Sequence, residues 1–233
     1  MDPLEEPDRM PSCWTREQLG KLFEACDWQT GTIVGVEASA WWLAIHLFWW
    51  DSGERTGATL KLEWEHFDPT AGTMYVPGDI RKTNKRALYD LKPLTAEAIE
   101  AIREPRRKLI FELPGCLGTF YNHYTRLLKD AGLPHGRRDK PQKMRRSFAS
   151  HLEAAGGNAT EALGHSARSV TKDSYIDERI VKPDSPNLLL FNVTSAATGE
   201  TPPPLPGSKS SNGRLRKLLG RLGLSGKGKG ASQ

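Results

Sequence analysis

The chain has 233 residues, of which 37% are hydrophobic, enough for one domain of ordinary size with a packed core. No stretch approaches the ~20 consecutive apolar residues that span a membrane, and the acidic N-terminus lacks the apolar core of a signal peptide. The three cysteines are scattered and form no Cys-x-x-Cys pair, so we expect reduced thiols in a cytoplasmic protein with no metal site and no cofactor.

The net charge of +5 combines two unlike parts of the chain. Seven basic residues and no acidic residue follow Gly207, whereas the chain up to Gly207 carries 26 basic and 28 acidic residues. The body of the protein is therefore not basic as a whole. A nucleic-acid surface would have to come from local clusters, and two are present, at residues 103–108 and 137–146.

The first part of the chain predicts a disordered lead followed by two helices. Residues 1–13 are rich in proline and acidic residues. Thr15 to Gln18 fit a capping box, which predicts the start of a helix. Between Trp41 and Trp50 the sequence is densely apolar, with His46 as its one polar interruption, so we expect a helix buried on most sides in which His46 is a structural group.

Two strand-like segments follow, at residues 73–77 and 87–91. They flank a polar turn and predict a β-hairpin with Lys82 near its tip. A charged hairpin tip is, taken alone, ordinary solvated surface. With further helices predicted from Thr95 and over residues 120–128, the fold class is mainly α with a small β-hairpin sheet (α+β), in one domain over residues 14–192.

The stretch from Gln142 to Tyr175 has the strongest chemical signal. Met144, Phe148 and Leu152 recur at a helical spacing of four residues and predict a buried helix face. Arg145 lies beside that face, where a guanidinium held by packed neighbours suits a planar partner such as phosphate. An arginine lying along the edge of a surface helix would give the same pattern.

A short helix and a turn follow this segment. Glycines at 156–157 end the first helix, residues 158–163 restart a short one, and Gly164 to Ser166 form a turn. Tyr175 lies ten positions after His165. Singly, each is an ordinary turn or core-edge residue. As an ordered set they closely resemble the C-terminal signature of the tyrosine recombinase (phage integrase) family, which here comprises Arg145, Leu163-Gly164-His165-Ser166 and Tyr175.

Two further boxes of that family have matches upstream. Residues 51–64, DSGERTGATLKLEW, are similar to the first arginine box, with Arg55 at the functional position. Residues 81–86, RKTNKR, are similar to the hairpin box, with Lys82 at the functional position. With the segment around Arg145 and the segment from Leu163 to Tyr175, they make four boxes in the order of the family. Four ordered boxes are far more specific than any one of them. The resemblance covers residues 14–177.

The resemblance implies the catalytic domain of a site-specific DNA recombinase or integrase. Such a domain breaks and rejoins double-stranded DNA through a 3′-phosphotyrosyl intermediate, as a homo-oligomer on DNA and without metal or ATP. Tyr175 would be the nucleophile, Arg55 and Arg145 would bind the non-bridging phosphate oxygens, and His165 would add a hydrogen bond. Lys82 would protonate the departing 5′-oxygen.

The sequence departs from the family pattern in three places. Gln142 stands three residues before Arg145, where the family usually has histidine, and an amide cannot take a proton at neutral pH. Ala58 stands where the family commonly has an acidic residue. The family also usually places a helical DNA-binding domain before the catalytic one, whereas only Met1 to Trp14 precede the first predicted helix.

Three functions therefore remain open. The first is an active strand-transferring recombinase. The second is a catalytically weak DNA-binding remnant or accessory module without the N-terminal DNA-binding domain. The third is a type IB topoisomerase-like enzyme, which relaxes DNA with the same chemistry. In all three we expect no membrane association, a docking element at residues 188–191, and a disordered tail over 193–233 whose basic residues add sequence-independent attraction to DNA.

Overall fold

A computed structural model describes residues 10–113 and 115–181. Within these ranges the chain forms helices and two small antiparallel sheets, which confirms the predicted α+β class. The helices are α1 Arg16–Asp27, α2 Ala38–Ser52, α3 Thr56–Thr59, α4 Pro93–Ala101, α5 Leu117–Asp130, α6 Gln142–Ala154, α7 Ala159–Ala162 and α8 Arg168–Tyr175. The strands are β1 Thr32–Ile33, β2 Val36–Glu37, β3 Phe67–Asp68, β4 Thr73–Val76 and β5 Ala87–Asp90. Among these helices, none is both long and apolar enough to cross a membrane.

The first helix begins at the predicted capping box. The Thr15 hydroxyl accepts the backbone N–H of Gln18 at 3.2 Å, and the Gln18 side chain accepts the backbone N–H of Thr15 at 3.1 Å. These two bonds satisfy donors that a helix N-terminus otherwise leaves free. Helix α1 packs against α2, which also contacts α4 and α6 and forms the centre of the domain.

Helix α2 is buried on most sides, as its sequence predicts, and His46 is a structural residue. The His46 side chain is fully buried and stacks on Tyr124 with ring centroids 5.7 Å apart. Its Nδ1 donates to the backbone oxygen of Trp42 at 2.7 Å. Burial lowers the pKa of His46 to about 4, so the ring stays neutral in the core at physiological pH.

The predicted hairpin is confirmed as part of a three-stranded antiparallel sheet in the order β3-β4-β5. Met74 pairs with Tyr89, and Met74 and Val76 are fully buried on the inner face. The connection between β4 and β5 carries Lys82. The sequence did not predict the second sheet, a two-stranded ladder of β1 and β2 whose strands are only two residues long.

The C-terminal part of the described chain packs on α6. Met144 is fully buried, whereas Phe148 and Leu152 are half-buried at the edge of a separate cluster that includes Tyr175. The other buried members of this cluster are Ala149, Ala159, Leu163 and Ile176. The apolar face predicted for α6 is therefore present, and part of it supports the segment that carries Tyr175.

The chain is already packed at Cys13. The Cys13 N–H donates to the Asp177 carboxylate at 3.1 Å, and the Trp14 N–H donates to the Ser147 hydroxyl at 2.8 Å. These bonds join the start of the domain to α6 and to the residues just after α8. The predicted boundary at residue 192, the docking element and the basic tail lie outside the described residues.

Gly53 ends α2 in the left-handed conformation, at φ +60°, where residues other than glycine meet a steric cost of ~1–2 kcal/mol. A Cβ at this position would lie 2.3 Å from Cδ1 of Phe148 on α6. We therefore expect Gly53→Ala to lower the thermal unfolding midpoint by about 5 °C, from a loss of roughly 2 kcal/mol. Circular dichroism melting measures this change.

Gly20→Ala is the matched control for that experiment. Gly20 lies within α1, and nothing lies within 4 Å of a Cβ added there. Alanine favours a helix interior over glycine by ~0.5–1 kcal/mol, so this variant should unfold at a slightly higher temperature. An unchanged or raised midpoint for Gly53→Ala would contradict the close contact between α2 and α6.

Candidate active site

Arg145 lies at the centre of the site and is 1% exposed. Its Nη1 donates to the backbone oxygen of Gly53 at 2.6 Å, and its Nη2 donates to that of Leu163 at 3.2 Å. The two acceptors come from the end of α2 and the end of α7. A buried guanidinium with two fixed acceptors keeps one orientation, unlike an arginine at the surface. The alternative of an exposed arginine along a helix edge is therefore wrong.

Arg55 is the residue that precedes the first turn of α3, and it is half-buried. Its Nη1 is buried without a hydrogen-bond partner among the described residues. A buried N–H without a partner is costly unless a ligand or water completes it. The Arg55 side chain is thus available to an anion that enters the site.

The turn after α7 places His165 beside Arg145. Its Nε2 lies 3.1 Å from Nη2 of Arg145, and its Nδ1 lies 2.9 Å from the hydroxyl of Thr171 on α8. Because a guanidinium can only donate, Nε2 is the acceptor, and the proton on the ring is on Nδ1. Burial and the nearby charges of Arg145 and Arg55 lower the pKa of His165 to about 4, so the imidazole is neutral.

Tyr175 is the last residue of α8 and faces the same cluster. Its ring centroid lies 4.7 Å from that of His165 and 5.3 Å from Cζ of Arg145. The Ser150 hydroxyl donates to the backbone oxygen of Tyr175 at 3.1 Å and accepts the N–H of Asp177 at 2.9 Å. The backbone on both sides of the phenol is therefore fixed to α6.

The charges around Tyr175 favour its ionised form. Burial raises the pKa of the phenol, but the positive charges of Arg145 and Arg55 outweigh burial and leave the pKa below its usual value. Opposite charge within a few ångströms stabilises an anion in this way. A larger fraction of Tyr175 is thus phenolate at neutral pH than for a tyrosine in water.

Gln142 is the first residue of α6 and touches the phenol. Its Nε2 donates to the Tyr175 hydroxyl oxygen at 3.3 Å. An amide in this position stabilises negative charge on the phenolate by donating a hydrogen bond, but it cannot accept the proton. The structure thus brings together five of the six predicted site residues: Arg55, Gln142, Arg145, His165 and Tyr175.

Lys82 is the sixth predicted site residue and lies on the connection between β4 and β5, where its side chain is exposed. The preceding residue, Arg81, is instead buried and forms an ion pair with Glu54, with its Nε 2.8 Å from Oε2. The Arg81 side chain also donates to the backbone oxygen of Lys85 at 2.8 Å. The start of the hairpin connection is therefore anchored, while Lys82 projects from it.

Sequence reasoning did not single out several residues that support the site. Thr171 orients the His165 ring, Ser150 holds the Tyr175 backbone, and Glu54 and Arg81 form a buried ion pair next to Arg145. Glu54 and Arg81 lie within the two upstream boxes and Thr171 lies between His165 and Tyr175, but no spacing in the sequence marks any of them as a partner of the site. Within the described ranges, no cluster of His, Cys, Asp or Glu side chains could hold a metal ion.

The arrangement suits a phosphodiester. Two neighbouring guanidinium groups can bind the two non-bridging oxygens of a phosphate, as fork-shaped donors do. The phenol of Tyr175 lies next to both, so a phosphorus atom held between them would be within its reach. Charges placed to bind a phosphate would also stabilise the additional negative charge of a transition state at phosphorus.

No protein-family model and no curated protein sequence matches this chain. The fold, in contrast, is clearly similar to that of several solved structures. XerA recombinase aligns with a TM-score of 0.61 at 16% identity, over 80% of this chain and 68% of that one. The catalytic domain of bacteriophage HP1 integrase aligns with a TM-score of 0.53 at 18% identity, over 85% of this chain and 99% of that one.

A lambda integrase tetramer bound to a Holliday junction is also similar, with a TM-score of 0.57 at 19% identity. The alignment covers 76% of this chain and 51% of that one, so the chain spans about half the length of the integrase chain that it matches. These likenesses show that the chain has the catalytic-domain fold of tyrosine recombinases and integrases. They confirm, at the level of the fold, the resemblance carried by the sequence motifs.

Proposed function

We propose that this chain is the strand-cleaving catalytic domain of a tyrosine-type DNA recombinase or integrase. The observation that supports the proposal most strongly is the meeting of Tyr175 with two buried or half-buried arginines, Arg55 and Arg145, whose charges lower the pKa of the phenol. These residues are 30 to 120 positions apart in the sequence. The fold relatives are DNA recombinases by name, which is consistent with the same chemistry.

The proposed reaction is an exchange of one phosphodiester for another. The Tyr175 phenol loses its proton to solvent, and the phenolate oxygen attacks the phosphorus atom. The bond between phosphorus and the 5′-oxygen breaks, which leaves the 3′ end of the DNA attached to the tyrosine. Because one ester replaces another, a second 5′-hydroxyl can reverse the step without an external energy source.

Each neighbour of the nucleophile has a distinct role in this proposal. Arg55 and Arg145 bind the non-bridging oxygens and stabilise the charge that builds up on them. His165 exchanges its contact with Arg145 for a hydrogen bond to the phosphate, with the ring proton moving to Nε2. Lys82 approaches from the hairpin and gives a proton to the departing 5′-oxygen, which otherwise leaves as a poor alkoxide.

The proposed partner is double-stranded DNA, bound as a homo-oligomer. Basic side chains are exposed on two segments beside the site, the β4–β5 connection and the residues that precede α6; they are Lys82, Lys85, Arg86, Arg137 and Arg138. Exposed positive charge on two segments that adjoin the elements of the site fits a DNA backbone that crosses it. A lambda integrase tetramer binds a Holliday junction, and we propose an assembly of the same kind here.

The direct test of the proposed function uses duplex DNA with a nick one or two bases from the scissile phosphate. Cleavage then releases a short oligonucleotide, and the covalent complex cannot reverse. We expect an adduct that survives denaturing electrophoresis, with the protein on the 3′ end. The complete absence of an adduct from every tested duplex would instead favour a DNA-binding module without cleavage activity. Supercoiled DNA that is relaxed without strand exchange would favour a topoisomerase-like enzyme.

The rate of adduct formation is expected to rise with pH, because only the phenolate of Tyr175 attacks. The lowered pKa of Tyr175 shifts this rise to lower pH than for a free tyrosine. His165 adds no pH dependence between about pH 6 and 9, since its pKa is already lowered to about 4. Gln142 adds none either, because an amide does not titrate.

Gln142→His tests this account of the pH dependence. An imidazole at this position can accept the phenol proton above an unperturbed pKa of ~6.5. We expect the variant to cleave about tenfold faster than the unmodified protein at pH 7, less than the ~10²–10⁴ of a typical general base because the arginines already favour the phenolate. Gln142→Asn, which keeps an amide, is the control and should not accelerate. Equal rates for all three proteins would show that the phenol proton needs no base.

The amide at Gln142 is also the observation that favours a second candidate function, a catalytically weak DNA-binding module. Its Nε2 only donates to the phenol. In that case DNA binds with the affinity of a recombinase domain but adduct forms slowly even at pH 9. Rates measured from about pH 6 to 9 separate the two functions, because a working site accelerates as the phenolate fraction of Tyr175 rises, whereas a binding module stays slow throughout.

A further inference from the structure

The family to which the sequence boxes are similar commonly has an acidic residue three positions after the first arginine, and this chain has Ala58 there. Ala58 is 3% exposed and carries no charge. A buried carboxylate is nevertheless present nearby, four residues earlier in the chain. Glu54 directly precedes Arg55, and its side chain is 1% exposed.

Glu54 contacts three separate parts of the site. Its Oε1 accepts the backbone N–H of Arg55 at 2.7 Å and lies 4.0 Å from Nη1 of Arg145. Its Oε2 lies 2.8 Å from Nε of Arg81 and accepts the hydroxyl of Tyr89 at 3.0 Å. Both carboxylate oxygens of Glu54 are thus engaged. Oε1 faces the two catalytic arginines, and Oε2 faces Arg81 and Tyr89 of the hairpin.

Arg81 extends these contacts to the remaining parts of the site. It immediately precedes Lys82, and its Nη2 lies 3.3 Å from the Tyr89 hydroxyl. A Cβ added at Gly164 would lie 3.8 Å from Nη2 of Arg81, so the guanidinium packs beside the turn that presents His165. The ion pair of Glu54 and Arg81 therefore lies where all four sequence boxes meet.

A negative charge this close to a phosphate-binding site needs an explanation. A buried carboxylate is costly unless it is paired and hydrogen-bonded, and this one would also repel the phosphate that Arg145 is proposed to bind. If the ion pair of Glu54 and Arg81 only filled space in the core, apolar residues of similar volume would stabilise the domain equally well. The Glu54 charge is best explained if it orients the guanidinium groups around it, those of Arg81 and Arg145.

We propose that Glu54 is a positioning residue that replaces the missing acid at position 58. It holds Nη1 of Arg145 against the Gly53 oxygen and, through Arg81, fixes the hairpin from which Lys82 reaches the leaving group. This inference rests on the proposed function for its effect on cleavage. It also makes a statement about the resting site, which can be tested without cleavage.

Glu54→Gln is the central variant, because glutamine keeps the shape and the acceptor for the Arg55 N–H but loses the charge. We expect single-turnover adduct formation at saturating protein to fall roughly 100-fold, as for a misplacement of catalytic groups by about 1 Å. DNA affinity, measured by fluorescence anisotropy, should change less than about threefold, because the Glu54 side chain is buried and makes no contact with a bound DNA backbone. Unchanged cleavage by Glu54→Gln would overturn the proposal.

Asp51→Asn is the matched control. Asp51 lies on α2, its side chain is 3% exposed, and it pairs with Lys92 at 2.7 Å and accepts the Thr95 hydroxyl at 2.6 Å. The substitution therefore removes the charge of a buried carboxylate that lies three residues before Glu54 and that pairs with Lys92 and Thr95 instead of the arginines. We expect it to lower stability yet leave the rate of the folded protein near normal. A fall in rate as large as that of Glu54→Gln would mean that general destabilisation explains both.

A second variant separates positioning from folding. Glu54→Gln leaves Arg81 buried without its counter-ion, whereas Glu54→Gln combined with Arg81→Met removes both charges and should recover most of the lost thermal stability. Under the proposal, the double variant still cleaves slowly, because the Glu54 charge no longer acts on Nη1 of Arg145 and Arg81 no longer anchors the hairpin connection. Recovery of cleavage together with stability would show that the pair serves folding only.

The resting site gives a readout that does not depend on the proposed chemistry. In a crystal structure of Glu54→Gln without DNA, we expect Nη1 of Arg145 to leave the Gly53 oxygen, which it contacts at 2.6 Å in the unmodified protein. An unmoved Arg145 would contradict the positioning role even if the wild-type chain forms no adduct. A failure of the proposed function and a failure of this inference are thereby distinguishable.

Discussion

Tyr175→Phe is expected to abolish the covalent adduct with nicked DNA while DNA affinity stays within about twofold. The substitution removes only the hydroxyl, and the ring keeps its contacts with His165 and with Arg145. Without the oxygen no phosphotyrosyl bond can form, because none of the hydrogen-bonding neighbours of the phenol is a comparable nucleophile. Denaturing electrophoresis of the reaction with end-labelled DNA measures the loss.

Tyr121→Phe is the control for this result. Tyr121 is half-buried on α5 and belongs to the aromatic group around Phe120, away from the arginines. It should form adduct at the rate of the unmodified protein. A normal adduct yield from Tyr175→Phe would contradict the assignment of the nucleophile, even if DNA binding were unaffected.

Arg145→Lys is expected to reduce single-turnover cleavage by roughly 10²–10³-fold, in the range for removal of one preorganised donor from a site of charge development. Lysine keeps the positive charge but has no planar fork. Its single ammonium group cannot replace both the Nη1 bond to the Gly53 oxygen and the Nη2 bond to the Leu163 oxygen while it also binds a phosphate. DNA affinity should fall only slightly.

Arg103→Lys serves as the control for the loss of a guanidinium as such. Arg103 lies just after α4, where it pairs with Glu100 at 2.7 Å and stacks over Trp64 at 4.3 Å. Surface pairs of this kind contribute little, so cleavage should be unchanged. If Arg145→Lys reduced binding and cleavage in parallel, Arg145 would act in DNA binding alone and the proposed role in the transition state would be wrong.

The sequence predicted the elements that have strong local signals. The capping box at Thr15 and the apolar run in α2 gave the first two helices, because burial and capping act within a few residues. The hairpin over residues 73–77 and 87–91 is present as β4 and β5, within one residue of the predicted bounds. The ordered boxes also identified the residues that meet around Arg145.

Other features of the site could not be predicted, because they depend on contacts between distant parts of the chain. Glu54 reads in the sequence as an ordinary acidic residue beside Arg55, and only the fold shows that it is buried against Arg81 and Arg145. Ser150 likewise reads as a small residue on α6, yet its hydroxyl holds the Tyr175 backbone. Periodicity identifies which face of a helix is buried, but not which polar partner it meets there.

The central claim is that Tyr175 forms a covalent bond to the 3′ end of a broken DNA strand. The most direct measurement is mass spectrometry of the trapped adduct after digestion with nuclease and protease. We predict one modified peptide, with a phosphate or nucleotide on the Tyr175 oxygen and the DNA joined through its 3′ end. A modification on any other residue, or a link through the 5′ end, would contradict the account.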